Sequence, residues 1–125
     1  MIVIDASALI DAVDGRVSVI ARLEGEDIHA PHLIDVEVAS ALRRLVARGR
    51  FEQQRAADVL TSLEQADIKR HPHSPLLGLI WSLRDRVSAY DATYVALATV
   101  LDAPLVTTDR KLASVPGLPC VVAVP

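Results

Sequence analysis

The sequence predicts an α/β domain in which helices cover both faces of a parallel β-sheet. Short apolar runs rich in β-branched residues alternate with longer segments of helical periodicity, which is the pattern of a parallel sheet with helical crossovers. Hydrophobic residues make up 51% of the 125 residues, enough for one buried core. Because no repeat, low-complexity segment or linker divides the chain, residues 1–125 are expected to form a single domain.

The first half of the chain predicts two strands and four helices. The run IVI at residues 2–4 is typical of a buried strand. In the longest helix, Val38, Leu42 and Leu45 recur at helical spacing, and Gly49 is typical of a helix end. The predicted elements are a strand at 1–5, helices at 6–15 and 17–24, a strand at 27–31, and helices at 33–49 and 51–65.

The second half predicts three further strands and three helices. Residues 71–75 contain two prolines and predict a turn, with Pro75 suited to the first turn of a helix. Ser88 and Asp91 have the spacing of a capping box, which predicts the start of a helix. The predicted elements are a weak strand at 67–70, helices at 76–86 and 88–101, a strand and turn at 103–109, a helix at 110–115 and a strand at 119–124.

Composition and charge narrow the class of protein. No apolar run approaches the roughly 20 residues that span a bilayer, and the acid-broken N-terminal segment lacks the basic start of a signal peptide. With Cys120 as the only cysteine, no internal disulfide can form, and the cytoplasm is the expected compartment. The net charge is −3, but five arginines and one acid lie between residues 43 and 55. The overall acidity therefore does not exclude an RNA substrate.

Four acidic residues are placed where an α/β sheet binds its ligands. Asp5 ends the first strand, and Asp109 closes the run LVTT at 105–108. Glu37 and Asp91 lie in the first turns of two helices. Ligands of parallel sheets bind beyond the carboxyl ends of the strands. Each acid also has a local explanation, since carboxylates cap helices and are stabilised near helix N-termini.

If these four carboxylates meet in space, their repulsion and desolvation call for a counter-charge. A hard divalent cation such as Mg²⁺ or Mn²⁺ takes oxygen ligands and would provide it. The spacing alone does not establish that they meet, because they are dispersed over most of the chain.

Four segments resemble, in order and spacing, the acidic signatures of a known family. They are IVIDASALIDA, APHLIDVEVASALRR, YDATYVALA and LVTTDRKLA. They are similar to those of PIN-domain ribonucleases, and most of all to the VapC-type toxins of bacterial type II toxin–antitoxin systems. The resemblance implies a three-layer α/β/α sandwich, a metal-dependent endoribonuclease, an antitoxin protein that blocks the site, and a homodimer.

The resemblance also implies site residues by their position in these segments. It implies a catalytic and metal-binding quartet made of Asp5, Glu37, Asp91 and Asp109. Ser7 and Thr107 match hydroxyl positions that orient a carboxylate or a metal-bound water. We expect the three aspartates to hold Mg²⁺ or Mn²⁺, directly or through water. Glu37 either binds a second ion or acts as base toward the attacking water.

Basic residues near the acids are candidate RNA contacts. Arg44 and Arg48 share a helix face with Glu37, and Arg110 and Lys111 follow the last aspartate of the quartet. The alternative is that these side chains belong to solvated helix faces and interact with helix C-termini.

Two other functions stay open from the residues alone. One is a metal-binding or protein-binding α/β module without nuclease activity. The other is a different Mg²⁺-dependent phosphoryl-transfer domain, although the D-x-D of a haloacid-dehalogenase phosphatase is D-A-S here.

Some remaining side chains are expected to be structural. The four histidines are not expected to bind zinc, because the chain has one cysteine and no second pair of ligands nearby. Asp35 is expected to be the N-cap of the helix that carries Glu37. Leu77, Ile80 and Trp81 are expected to lie in the core or on an apolar dimer face.

Overall fold

The computed structural model describes all 125 residues and contains a five-stranded sheet. Its strands are β1 (Ile2–Ile4), β2 (Ile28–Pro31), β3 (Lys69–His71), β4 (Leu105–Val106) and β5 (Val122–Ala123). Their order across the sheet is β3-β2-β1-β4-β5, and every neighbouring pair is parallel. The predicted parallel sheet is therefore confirmed.

Seven α-helices cover this sheet on both faces. They are α1 (Ala6–Val13), α2 (Val17–Leu23), α3 (Leu33–Ala47), α4 (Gln53–Gln65), α5 (Leu77–Ser82), α6 (Ala89–Val100) and α7 (Arg110–Ala113). Helix α3 packs against α1 and α4, whereas α6 packs against α5, β1 and β2. Since parallel crossovers are right-handed, the path from β1 to β3 puts α1–α4 on one face, and the return to β4 puts α5 and α6 on the other. The three-layer α/β/α arrangement is confirmed.

The hydrophobic core lies on both faces of β1. Ile2, Val3 and Ile4 are all fully buried, as expected of a strand covered on two sides. In α6, seven consecutive residues, 92–98, are buried, because the helix is enclosed between the sheet and α5. None of the seven helices combines the length and apolar composition needed to cross a membrane.

The third strand begins two residues later than predicted. The weak strand expected at 67–70 lies at Lys69–His71. Pairing with β2 sets this position, since Pro31 is in register with His71 and the backbone N–H of His32 donates to the His71 carbonyl. Strand propensity in this polar segment was too weak to locate its ends.

The helix predicted at 76–86 is shorter than expected. A 3₁₀ turn at Ser74–Leu76, with Pro75 in its first positions, leads into α5, which ends at Ser82. Beyond it the backbone forms i→i−3 bonds, from Leu83 N to Ile80 O and from Arg84 N to Trp81 O, because the chain must turn toward α6. Ile80 is in the core, whereas Trp81 and its neighbour Leu77 are exposed.

The predicted N-cap role of Asp35 is wrong. Helix α3 begins at Leu33, with His32 at its N-cap position, and Asp35 lies in the first turn. Its two carboxylate oxygens accept hydrogen bonds from Arg70 at 2.8 and 2.9 Å. The partner comes from β3, a distant segment that a local capping pattern cannot reveal.

Candidate active site

The order of the strands reverses between β1 and β4, which opens a crevice at the carboxyl ends of these two strands. The register pairs Ile4 with Val106. The residues that follow each strand, Asp5 and Thr107, therefore stand side by side. The first and last acidic segments of the sequence meet at this point.

Asp5 is buried at the base of the crevice, where it is the N-cap of α1. Its Oδ1 accepts from the Ala8 backbone N–H at 3.0 Å and from the Ser7 hydroxyl at 2.7 Å, and its Oδ2 accepts from the Thr107 hydroxyl. Burial raises the pKa of Asp5 above its ordinary value, although these hydrogen bonds oppose the shift, and the charge of Asp109 raises the pKa further.

The two hydroxyls beside Asp5 also connect the loops after β1 and β4. The oxygens of Ser7 and Thr107 are 3.2 Å apart. Ser7 Oγ accepts from the Thr108 backbone N–H at 3.1 Å, and Thr107 Oγ1 accepts from the Asp109 N–H at 3.0 Å. Both residues therefore orient the Asp5 carboxylate, while Ser7 holds the backbone of Thr108 and Thr107 holds that of Asp109.

Asp109 and Asp91 enter the crevice from two helix N-termini. Asp109 is the N-cap of α7, and its Oδ1 accepts from the Lys111 N–H at 2.9 Å. Ser88 caps α6 by accepting from the Asp91 N–H at 3.2 Å, so the first half of the predicted capping box is present. The carboxylate of Asp91 does not accept a hydrogen bond from the Ser88 backbone N–H, so it is free to face the crevice.

Glu37 reaches the same place from the first turns of α3. A cavity of about 260 Å³ is lined by side chains from all the acidic segments. Its lining residues are Asp5, Ala6, Ser7, Glu37, Ala41, Arg44, Asp91, Tyr94 and Asp109. The four acids of the predicted quartet, which are scattered along the chain, thus face one cavity.

The electrostatics of the cavity suit a cation. Asp91 is half-buried, and its pKa is raised first by burial and then by the charges of Asp109, Glu37 and Asp5. The side-chain donors are carboxylates and hydroxyls without histidine or cysteine, which is the oxygen set that Mg²⁺ and Mn²⁺ prefer. No group of three acidic, histidine or cysteine side chains is spaced to hold a metal ion by itself. An oxygen donor set of this kind suits Mg²⁺, which keeps several of its waters and takes one or two carboxylates directly.

The predicted basic residues divide into one at the cavity and three outside it. Arg44 lines the cavity, where its Nη1 donates to Ser40 at 3.1 Å. It also lines a neighbouring cavity of about 400 Å³. Arg48, Arg110 and Lys111 are exposed and are not among the lining residues. Arg48 is at the C-cap of α3, and Arg110 and Lys111 are the first two residues of α7.

Of Tyr90 and Tyr94, which flank Asp91 in the sequence and are expected to pack near the site, Tyr94 lines the cavity. It lies three residues after Asp91 on α6, and this spacing puts two side chains on the same helix face. The four histidines lie outside the cavity lining, and two of them, His29 and His71, hydrogen-bond each other at 2.8 Å.

Comparison with known proteins agrees with this geometry. Residues 2–118 match the family profile of the PIN domain. The chain is 47% identical over 123 residues to the ribonuclease VapC1 of Mycobacterium tuberculosis, covering 94% of this chain and 92% of the relative. It is similar to the crystal structure of PAE2754 from Pyrobaculum aerophilum, with a TM-score of 0.73 and 26% identity. The match covers 98% of this chain and 87% of that one. A toxin–antitoxin complex from Klebsiella pneumoniae contains a chain of similar fold, with a TM-score of 0.70 and 21% identity. The match covers 98% of this chain and 97% of that one.

Proposed function

Because this chain belongs to the PIN-domain family, among the relatives of the VapC ribonucleases, we propose that it is a metal-dependent endoribonuclease and the toxin of a toxin–antitoxin pair. The observation that carries the proposal is the meeting of Asp5, Glu37, Asp91 and Asp109 around one cavity that also contains Arg44. We propose that residues 1–125 act as a single PIN-like domain, since one sheet and one core of 26 buried residues serve the chain.

The three aspartates would hold Mg²⁺ or Mn²⁺. A bound divalent cation offsets the charge on the phosphate oxygens and lowers the pKa of a water ligand, which supplies hydroxide near neutral pH. Asp5 is oriented for this role by Ser7 and Thr107, and Asp109 by its cap of α7. The free carboxylate of Asp91 faces them.

Glu37 has two candidate roles in the same reaction. It either accepts the proton of the attacking water or contributes an oxygen to a second cation. Its side chain comes from α3, whereas Asp5 and Asp109 follow the strand ends. The cavity of about 260 Å³ that these carboxylates line can hold a water or an ion.

RNA would approach along the basic side of the crevice. Arg44 is the cation nearest to the acids and is suited to bind a phosphate oxygen beside the scissile bond. Arg48, one helical turn further along α3, and Arg110 with Lys111 on α7 would contact phosphates further from the cut. We place the activity in the cytoplasm, where RNA is available.

The proposed partners are an antitoxin and a second copy of this chain. The complex from Klebsiella pneumoniae, described as a toxin–antitoxin complex, supports an antitoxin for a chain of this fold. A homodimer is supported by exposed apolar side chains on α3, α5 and α6, chiefly Val36, Leu77, Trp81 and Tyr90. Val36, Leu77 and Tyr90 line two neighbouring cavities that share Leu33 and Tyr90, and Trp81 lies one helical turn after Leu77 on α5.

Cleavage of a defined RNA tests the enzyme directly. We expect the purified protein to cut RNA with Mg²⁺ or Mn²⁺, to lose activity in EDTA, and to regain it with excess Mn²⁺. Asp5→Asn and Asp91→Asn should reduce cleavage to background while circular dichroism shows an unchanged fold. Asp58→Asn, which changes an exposed acid on α4, is the matched control and should stay active.

Two results would contradict the proposal. Full cleavage in EDTA, or in the Asp5 and Asp91 variants, would exclude the metal-dependent mechanism. Mn²⁺ binding without any cleavage would instead favour a metal-binding module without nuclease activity. Sequencing of the new 5′ ends after brief expression would identify the RNA and its cut site.

A further inference from the structure

Tyr94 carries the one buried side-chain polar atom in the structure that has no hydrogen-bond partner. The residue is only 2% exposed, and its hydroxyl is enclosed. Buried hydroxyls in folded proteins are normally hydrogen-bonded, and an unpaired one is unfavourable. A phenylalanine would fill the same space without this cost. The hydroxyl therefore needs an explanation beyond packing.

The surroundings of this hydroxyl are acidic. Tyr94 lines the same cavity as the four acids. Burial is the main cause that raises the pKa of the phenol, and the neighbouring carboxylates of Glu37, Asp5 and Asp91 raise it further. A phenol in its ordinary protonated form acts as a hydrogen-bond donor toward carboxylates. The hydroxyl lies close enough to Glu37 to be affected by it, yet the pair lacks the distance and angles of a formed hydrogen bond.

Glu37 is the acid that most needs a fixed donor. Asp5 accepts three hydrogen bonds and Asp109 accepts one. Glu37 and Asp91 accept none, and of these two Glu37 has the longer side chain and more rotational freedom to lose. The other donor in the cavity is the guanidinium of Arg44, which stands on an exposed side chain and already contacts Ser40. The Tyr94 side chain is rigid and buried, and its hydroxyl has no hydrogen-bond partner.

We propose that Tyr94 is a positioning residue for Glu37: its hydroxyl donates to the Glu37 carboxylate, directly or through one shared water, and aims the remaining carboxylate oxygen into the cavity. The inference rests on the proposed metal-dependent function and assigns a role to a residue of the third acidic segment that is not one of the four acids. It also accounts for a hydroxyl that packing alone leaves unexplained.

The substitution Tyr94→Phe tests this with the loss of a single oxygen. We expect Mn²⁺ affinity, measured without RNA from the electron paramagnetic resonance signal of free Mn²⁺, to fall about 10-fold or more, as for other groups that orient metal ligands. Turnover at saturating Mn²⁺ should fall as well. Circular dichroism should show an unchanged fold, because phenylalanine fills the same space.

The matched control is Thr93→Val. It removes another buried hydroxyl from the preceding position of α6, where Thr93 donates to the Ala89 carbonyl and does not line the acidic cavity. This variant should keep the Mn²⁺ affinity of the unsubstituted protein.

A double-mutant cycle separates positioning from a general structural effect. In a Glu37→Ala background, Tyr94→Phe should have no further effect on Mn²⁺ affinity, whereas in an Asp109→Asn background its effect should persist. Unchanged Mn²⁺ affinity in Tyr94→Phe, or an equal loss in the Glu37→Ala background, would overturn the inference. If the protein binds Mn²⁺ but cleaves no RNA, the nuclease proposal fails while the binding cycle still decides the role of Tyr94. Absence of Mn²⁺ binding by the unsubstituted protein would overturn both.

Discussion

The aspartates of the cavity combine a helix-capping role with the proposed metal-binding one. Asp5 and Asp109 are N-caps, and Asp91 lies in the first turn of α6. Backbone N–H groups at a helix N-terminus stabilise negative charge. Such positions let carboxylates point outward from three helices into one crevice. Burial, and then the charges of neighbouring carboxylates, raise the pKa values of Asp5 and Asp91.

The raised pKa of Asp91 predicts a dependence of stability on pH in the metal-free protein. Below its ordinary value of 3.8 the carboxyl is neutral in both the folded and the unfolded chain. As pH rises through the higher pKa of the folded state, ionisation costs stability. In EDTA at pH 7, Asp91→Asn should therefore melt about 2–4 °C higher than the unsubstituted protein. The difference should close toward pH 4 in thermal scans.

Metal binding should reverse the order of these two melting temperatures. A ligand that binds only the folded state raises its stability, so saturating Mn²⁺ should raise the melting temperature of the unsubstituted protein more than that of the variant. If Asp91→Asn is less stable than the unsubstituted protein in EDTA at pH 7, the raised pKa of Asp91 is contradicted.

Thr107 is expected to affect both activity and stability. Its hydroxyl donates to Asp5 and accepts from the Asp109 backbone. The isosteric change Thr107→Val should lower the cleavage rate about 10-fold to 100-fold and cost about 1–2 kcal/mol in the free energy of unfolding, because a buried carboxylate loses a donor. Thr99→Val, whose hydroxyl bonds only within α6, provides the comparison. Equal rates for the two variants would argue against the orienting role.

At the scale of elements, one ion pair joins the segments that the sequence located least well. Arg70 on β3 donates to both oxygens of Asp35 on α3 and to the Leu63 carbonyl at the end of α4. The pair is bidentate, and the Arg70 side chain is largely buried. It fixes the start of α3, the helix that carries Glu37 and Arg44, against the edge of the sheet.

Replacing the guanidinium of Arg70 with an ammonium should weaken the attachment of α3 to β3. Arg70→Lys keeps the charge but cannot make the bidentate contact, and we expect the free energy of unfolding in urea to fall by about 1 kcal/mol. The adjacent change Lys69→Ala breaks an exposed pair with Asp27 and should alter stability by no more than about 0.5 kcal/mol. Equal effects of the two changes would show that the bidentate geometry contributes nothing.

At the scale of the molecule, acidic and apolar surfaces adjoin. The cavity of the acids and the exposed apolar side chains of α3, α5 and α6 are connected through Glu37, Arg44 and Tyr90, which line the cavity between them. Contiguous exposed apolar surface commonly marks an interface. A second copy bound there would border the crevice and shape the path of the RNA.

The proposed dimer can be tested by charge insertion. Leu77→Glu places a carboxylate among the exposed apolar side chains of α5 and α6 and should shift the protein from dimer to monomer, by about 10-fold or more in the dissociation constant. Sedimentation equilibrium would measure the shift. Val121→Glu alters another exposed apolar residue, which lies beside β5, and should leave the dimer intact. A monomeric unsubstituted protein would refute the proposed interface.

The local features of this protein are encoded in short stretches of its sequence. The alternation of strands and helices, the caps at Asp5, Ser88 and Asp109, and the identity of the acids depend only on neighbouring residues. Hydrophobic periodicity and capping chemistry act within a few residues, so they can be recognised without a partner. The four acidic segments together also indicated the family.

Only the tertiary structure decided which of these residues meet. Strand order put Asp5 beside Thr107, and packing of α3 and α6 brought Glu37 and Asp91 to the same cavity. Tertiary packing also placed Arg44 rather than Arg48 at the cavity, paired Asp35 with Arg70, and buried the hydroxyl of Tyr94 among the acids. These outcomes depend on contacts between distant segments, and the free energy of such contacts is set by the whole packed fold rather than by any local pattern.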